Sequence, residues 1–141
     1  MRRLTGVTLM VSLALGAAGC DNNISLPTNP SGPVETITES FAGSITPNGA
    51  VTYFYNSTAA GNMTATILTL KPDSTVAVGL AIGTWDVIQN KCQTVIANDR
   101  ASQGSTVTGQ VSAAGSLCVR IYDTSGTLTG TSQFEIIVVH P

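Results

Sequence analysis

Histidine is almost missing from this 141-residue chain, which has only His140. Nucleophilic catalysis by a Ser/His/Asp set needs a histidine held among partners. A histidine this near the end of the sequence reads as a solvated, frayed residue. Basic residues are also few: six Lys and Arg in all, two of them Arg2 and Arg3. Nothing resembles the basic patch that neutralises phosphates, so nucleic acid is excluded as a partner. The longest apolar stretch, Leu4 to Ala18, is fifteen residues interrupted by Thr5, Gly6, Thr8, Ser12 and Gly16. A membrane-spanning helix needs about 20 apolar residues. There is no Gly-x-Ser-x-Gly elbow and no glycine-rich phosphate loop. The acids Glu35, Glu39, Asp73 and Glu135 show no local pairing of the kind a glycosidase uses. An enzyme in its own right is not expected, and neither is a cofactor. Calcium is the one metal that loop carboxylates would suit, with Asp86, Asp99 and Asp123 as its candidate ligands.

What is present begins at the N-terminus. Arg2 and Arg3 precede the apolar stretch, and Ala17-Ala18-Gly19 then lead to Cys20. A positive start, a short apolar core and small residues at a cleavage site make a secretory signal. The cysteine directly after the site makes the segment resemble a bacterial lipoprotein signal. That resemblance implies cleavage before Cys20, lipidation of Cys20 with acyl chains such as palmitate, and attachment to the extracytoplasmic side of a bacterial membrane. Ala17 stands where such signals usually carry Leu. Asp21 does not by itself assign inner or outer membrane.

Residues 1–19 are therefore expected to be the signal, and residues 20–34 a lipidated cysteine with a flexible tether. The stretch from Asp21 to Val34 holds Pro27, Pro30, Pro33 and Gly32 among Asn and Ser, a linker composition too polar to bury itself. Without the signal the chain keeps four basic and eight acidic residues, a net charge of −4. Cys92 and Cys118 then remain as an even pair. In an oxidising compartment such a pair is expected to form a disulfide; the alternative is two separate buried thiols. One distant histidine does not complete a four-ligand zinc site with them.

From Glu35 onward the apolar period is two, the pattern of half-buried strands. Strands are expected at 36–43, 50–57, 62–70, 76–82, 106–112, 117–122 and 133–139. A less regular segment at 84–96 carries Cys92. Pro47-Asn48-Gly49, Ala59-Ala60-Gly61 and Lys71-Pro72-Asp73-Ser74 read as turns. About eight short strands with turns at this spacing predict an all-β fold, a jelly-roll-like antiparallel β-sandwich over 35–141. Leu117, Val119, Ile121, Phe134, Ile136 and Val138 should face its core, leaving Cys118 on the outer face.

Ser40-Phe41-Ala42-Gly43-Ser44-Ile45, Tyr53-Phe54-Tyr55, Gly61 to Ala65, Gly115 to Asp123 and Phe134 to Val138 together resemble the bacterial pre-peptidase C-terminal domain. That family implies a small secreted sandwich acting as an accessory module in secretion or binding, with no catalytic residues. Trp85 is expected to pack at the sandwich edge over the Cys92 region. Alternatively, Trp85, Tyr53 and Tyr55 would form a stacking platform for a ligand. The function expected is a membrane-anchored, non-catalytic lipoprotein of the cell envelope that binds a protein or polysaccharide partner or serves envelope structure. The alternatives are a glycan-binding accessory module working with a separate hydrolase, and a fibre subunit assembled by strand donation.

Overall fold

The computed structural model describes residues 32–141. Cys20, the signal and most of the tether lie outside the described residues. Eight strands follow one another: β1 (Ile37–Ile45), β2 (Ala50–Ser57), β3 (Gly61–Lys71), β4 (Val78–Asp86), β5 (Lys91–Ala101), β6 (Thr106–Val111), β7 (Gly115–Tyr122) and β8 (Ser132–His140). They form two antiparallel four-stranded sheets, ordered β1-β8-β3-β6 and β2-β7-β4-β5. Successive strands mostly alternate between the sheets, which is the winding of an eight-stranded jelly roll.

Strict alternation of side chains builds the core. In β8, Phe134, Ile136 and Val138 are buried, while Gln133, Glu135, Ile137 and Val139 lie on the other face. In β7, Leu117, Val119 and Ile121 face the same interior. Ile67, Leu70, Val78, Leu80 and Ile82 complete the centre from β3 and β4. Because side chains in a strand point to alternate faces, one apolar residue in two suffices to fill the space between two sheets. The predicted fold class and the core positions on β7 and β8 hold.

Three local expectations are corrected. Strand β4 starts at Val78 rather than Val76 and runs on through Trp85 to Asp86. The segment at 84–96 is thus the end of β4, a four-residue turn and the beginning of β5. The register of β4 with β5 shifts twice, between Val78 and Leu80 and between Ile82 and Gly83. Such bulges break the period of two that marks a strand in sequence. Finally, His140 is not frayed: it is fully buried as the last inward residue of β8. Its Nε2 lies 3.1 Å from the Glu39 carboxylate, and its ring packs 4.8 Å from the Tyr55 ring. The Pro141 oxygen accepts hydrogen bonds from the Thr58 amide and the Ser57 hydroxyl. Local composition had no means of showing that β1, β2 and β8 close around this corner.

Candidate binding face

The outer face of the second sheet carries large aromatic side chains where alternation turns them away from the core. On β2, Tyr53 and Tyr55 point inward and Phe54 points outward, 61% exposed. On β4, Trp85 also points outward, and its ring stacks on Phe54 with centroids 5.5 Å apart and planes 23° apart. Cys92 is the cross-strand partner of Trp85, and Cys118 is the partner of both Phe54 and Gly83. The two sulfurs are bonded at 2.06 Å.

That bond joins β5 to β7 over the intervening strand β4, with Cα atoms only 5.8 Å apart. Neighbouring strands alone are about 4.8 Å apart, so β5 must fold over β4 here. Gly83 is what allows it. A Cβ at Gly83 would fall 2.0 Å from the Gln93 carbonyl oxygen. The second bulge, at Ile82 and Gly83, lies at the same place.

Further along the face, the Arg120 guanidinium sits over the Tyr122 ring, 5.2 Å from its centroid. The Tyr122 hydroxyl donates to the Asp99 carboxylate. Burial, then that hydrogen bond and the Asp99 charge, push the Tyr122 phenol up to about 12, partly opposed by Arg120. The Tyr122 ring lies flat over Gly79, where an added Cβ would fall 2.3 Å from ring carbons. Between these groups is a shallow concavity of about 270 Å³ lined by Ala50, Thr52, Trp85, Asn90, Lys91, Cys92 and Arg120. It contains two cations and an aromatic wall. Among the described residues, neither Lys91 nor Arg120 has a carboxylate oxygen within 4 Å. A partner carboxylate would meet unpaired positive charge beside an apolar ring. Another concavity, about 200 Å³ between Pro72, Asp73 and 127–132, lacks this chemistry. Its one carboxylate, Asp73, already accepts from the Thr75 amide and hydroxyl.

The proposed platform of Trp85, Tyr53 and Tyr55 does not assemble. Tyr53 stacks on Phe41 at 5.0 Å, and its hydroxyl donates to the Ala42 carbonyl. Tyr55 is buried in the core; burial and, second, the Glu39 charge push its phenol well up. The physical reason is the period of two: odd positions of β2 face inward, so Trp85's neighbour across the sheet is Phe54. The run Tyr53-Phe54-Tyr55 already holds that signal, since alternate positions of a strand face opposite sides. Lys91 and Arg120 carried none, because single cations on strands usually mark only solvated faces.

The three candidate calcium ligands do not converge. Asp86 accepts from the Ile88 and Gln89 amides, Asp99 accepts from Tyr122, and Asp123 accepts from the Asn48 and Thr127 amides. Among the described residues, no three His, Cys, Asp or Glu side chains gather as a metal site.

No protein-family model matches the sequence, and no curated protein matches it. Among solved structures, the chain is similar to PliG of Aeromonas hydrophila, a periplasmic lysozyme inhibitor of g-type lysozyme. The superposition has a TM-score of 0.50 at 15% sequence identity and covers 73% of this chain and 84% of that one. A likeness at this identity concerns the fold.

Proposed function

We propose that this chain is an extracytoplasmic, non-catalytic lipoprotein, anchored through Cys20, which binds a protein partner on the outer face of its second sheet. The observation that carries the proposal is the gathering there of Trp85, Lys91 and Arg120 around an open concavity, with exposed Phe54 stacked on Trp85 and, among the described residues, no carboxylate paired with either cation. Tryptophan, tyrosine and arginine dominate the energy of protein interfaces. The disulfide supports an oxidising compartment, and a similar sandwich serves in PliG as a periplasmic inhibitor. Jelly-roll winding is also compatible with an accessory module of the pre-peptidase C-terminal type.

A photo-crosslinking residue at Phe54 in the living cell should capture an envelope protein, and the same residue at Thr108 on the other sheet should not. Trp85→Ala with Arg120→Gln should abolish the Phe54 product. Equal capture from both positions would refute the assignment of the face. A g-type lysozyme is a direct first ligand to titrate, with loss of muramidase activity as the readout.

One observation favours a second reading. The two cations beside the Trp85 ring suit an anionic polysaccharide as well as an acidic side chain. Binding of uronate oligosaccharides, lost in Trp85→Ala, would favour the glycan module over the protein ligand. Strand donation has less support, because β8 lies inside its sheet between β1 and β3. A donated strand would have to add to an edge.

A further inference from the structure

The two ends of the sandwich differ as much as its faces. Register sets Ile37 opposite His140, Ser57 opposite Gly115, Gly61 opposite Val111 and Asp86 opposite Lys91. The start of β1 therefore shares one end with the loops 58–60, 87–90 and 112–114. Those loops read Thr58-Ala59-Ala60, Val87-Ile88-Gln89-Asn90 and Ser112-Ala113-Ala114, with no charged side chain. Val87 is 71% exposed and Ile88 93% exposed at the tip of the β4–β5 turn. Val34 and Ile37, where the chain runs into β1, are also exposed. At the opposite end the loops 46–49, 72–77, 102–105 and 123–131 are rich in Thr, Ser and Gly and carry Asp73 and Asp123.

Two adjacent branched apolar side chains held mostly in water at a turn tip gain little within the fold, and with Val34 and Ile37 at the same end they form the kind of gathered apolar surface that marks a contact. We propose that this end rests on a lipid bilayer, with Val87 and Ile88 inserted at the boundary between headgroups and acyl chains. This inference rests on the anchoring of Cys20. The occupant follows from where the chain begins its fold. β1 begins at Ile37, and sixteen residues separate it from Cys20. Fully extended, such a segment spans at most about 60 Å. An acylated Cys20 therefore keeps the start of β1 within one tether length of the membrane, and the end that carries the apolar loops is the end the tether enters. Acyl chains supply the main attraction and the inserted side chains add apolar burial. The aromatic and arginine anchors typical of protein interfaces are absent from these loops. Glu35 and Asp86 border them on the side away from the tip.

The test places a fluorescent reporter at each end. The full chain, expressed with its own first twenty residues, carries Trp85→Phe together with either Ile88→Trp or Pro47→Trp, and is reconstituted into phosphatidylethanolamine–phosphatidylglycerol vesicles. Ile88→Trp should shift its emission to the blue and be quenched by phospholipids brominated on the acyl chains. Pro47→Trp, at the far end, should show neither effect. An unquenched Ile88→Trp on protein that floats with the vesicles overturns the proposal, as does quenching of Pro47→Trp. Protein that neither floats nor carries acyl mass at Cys20 overturns the anchor itself, and the membrane contact with it. The exposure of Ile88 keeps that substitution outside the core, so loss of folding does not obscure the result.

Discussion

The outer faces of the two sheets are made of different kinds of residue. The first sheet presents repeated rows set by register: Thr38, Val139, Thr64 and Thr108 in one, and Ser40, Ile137, Thr66 and Thr106 in the next. The Thr66 and Thr106 hydroxyls meet at 2.8 Å. These are small strand-forming side chains whose cross-strand pairing stabilises a sheet, and each could stand in for its neighbour. The second sheet presents residues that occur once: the only tryptophan, stacked on Phe54, the only disulfide, and Arg120 on Tyr122. Of the four cations in residues 32–141, three are on β5 and β7. Repetition builds a sheet, whereas a cluster of singular groups at a concavity is the kind of surface the proposed recognition needs.

The largest effect expected from this difference lies in the disulfide. Replacing Cys92 and Cys118 together by Ala removes a crosslink between residues 26 apart, worth about 3–4 kcal/mol by its restriction of the unfolded chain. Urea unfolding should show that loss. Hydrogen exchange should rise most along β5, beyond the common rise that lower global stability gives to the amides of β1, β8 and β3. Uniform loss of protection in both sheets would mean that the crosslink serves the whole sandwich and that the contrast between the sheets does not extend to stability.

Next in size is Gly83→Ala, expected to cost about 1–3 kcal/mol through overpacking, because the new Cβ would meet the Gln93 backbone. Gly115→Ala is the control: nothing lies within 4 Å of its added Cβ. Equal unfolding midpoints for the two variants would show that β5 does not need the close approach at Gly83.

The contrast explains how far the sequence could be read. Alternation in β7 and β8 is undisturbed, so their core residues were legible from the apolar period alone. In β4 and β5 the two bulges shift the phase, and β5 is an edge strand with Thr94, Val95 and Ala97 all exposed. No face of β5 shows a simple period, so the strand was hidden. The disulfide partners were legible by arithmetic on the cysteines, but the crossing over β4 was not, since it depends on a glycine two strands' pairing away. At the candidate binding face, Trp85 was visible because it is unique. Its partner was missed because stacking across three strands is a property of sheet order, which spacing does not contain. The burial of His140 has the same origin: β1 and β2, which enclose it, lie about ninety residues before β8.

A smaller effect separates the faces by pH. The neutral phenol of Tyr122 is favoured in the folded protein, with its ionisation raised from 10.0 to about 12. Its contribution is therefore fully present below pH 10 and is lost as pH rises through about 12. Tyrosinate absorbance should show a late-titrating group that disappears in Tyr122→Phe, and the alkaline loss of stability should flatten in the same variant. Deprotonation would place a negative oxygen beside the Asp99 carboxylate, so the Asp99 end of edge strand β5 should loosen from β4 first. A wild-type titration indistinguishable from that of the variant above pH 10 would remove the Tyr122–Asp99 hydrogen bond from the account.

The smallest change is expected on the first sheet. Thr66→Val with Thr106→Val removes two hydroxyls that bond to each other at the surface and keeps the branched shape. Removing both partners leaves no unsatisfied group, and Val suits a strand as well as Thr does. Stability should move by no more than about 0.5 kcal/mol, and capture of a partner from Phe54 should be unchanged. The same pair of substitutions has a second use. The rows of hydroxyls form a regular surface of their own, and a partner that read it would lose affinity when two were replaced. Unchanged binding in Thr66→Val/Thr106→Val, set against loss in Trp85→Ala with Arg120→Gln, assigns recognition to the second sheet. Loss in the former pair alone would exchange the roles of the two faces and leave the Phe54–Trp85 stack as a cover over the disulfide.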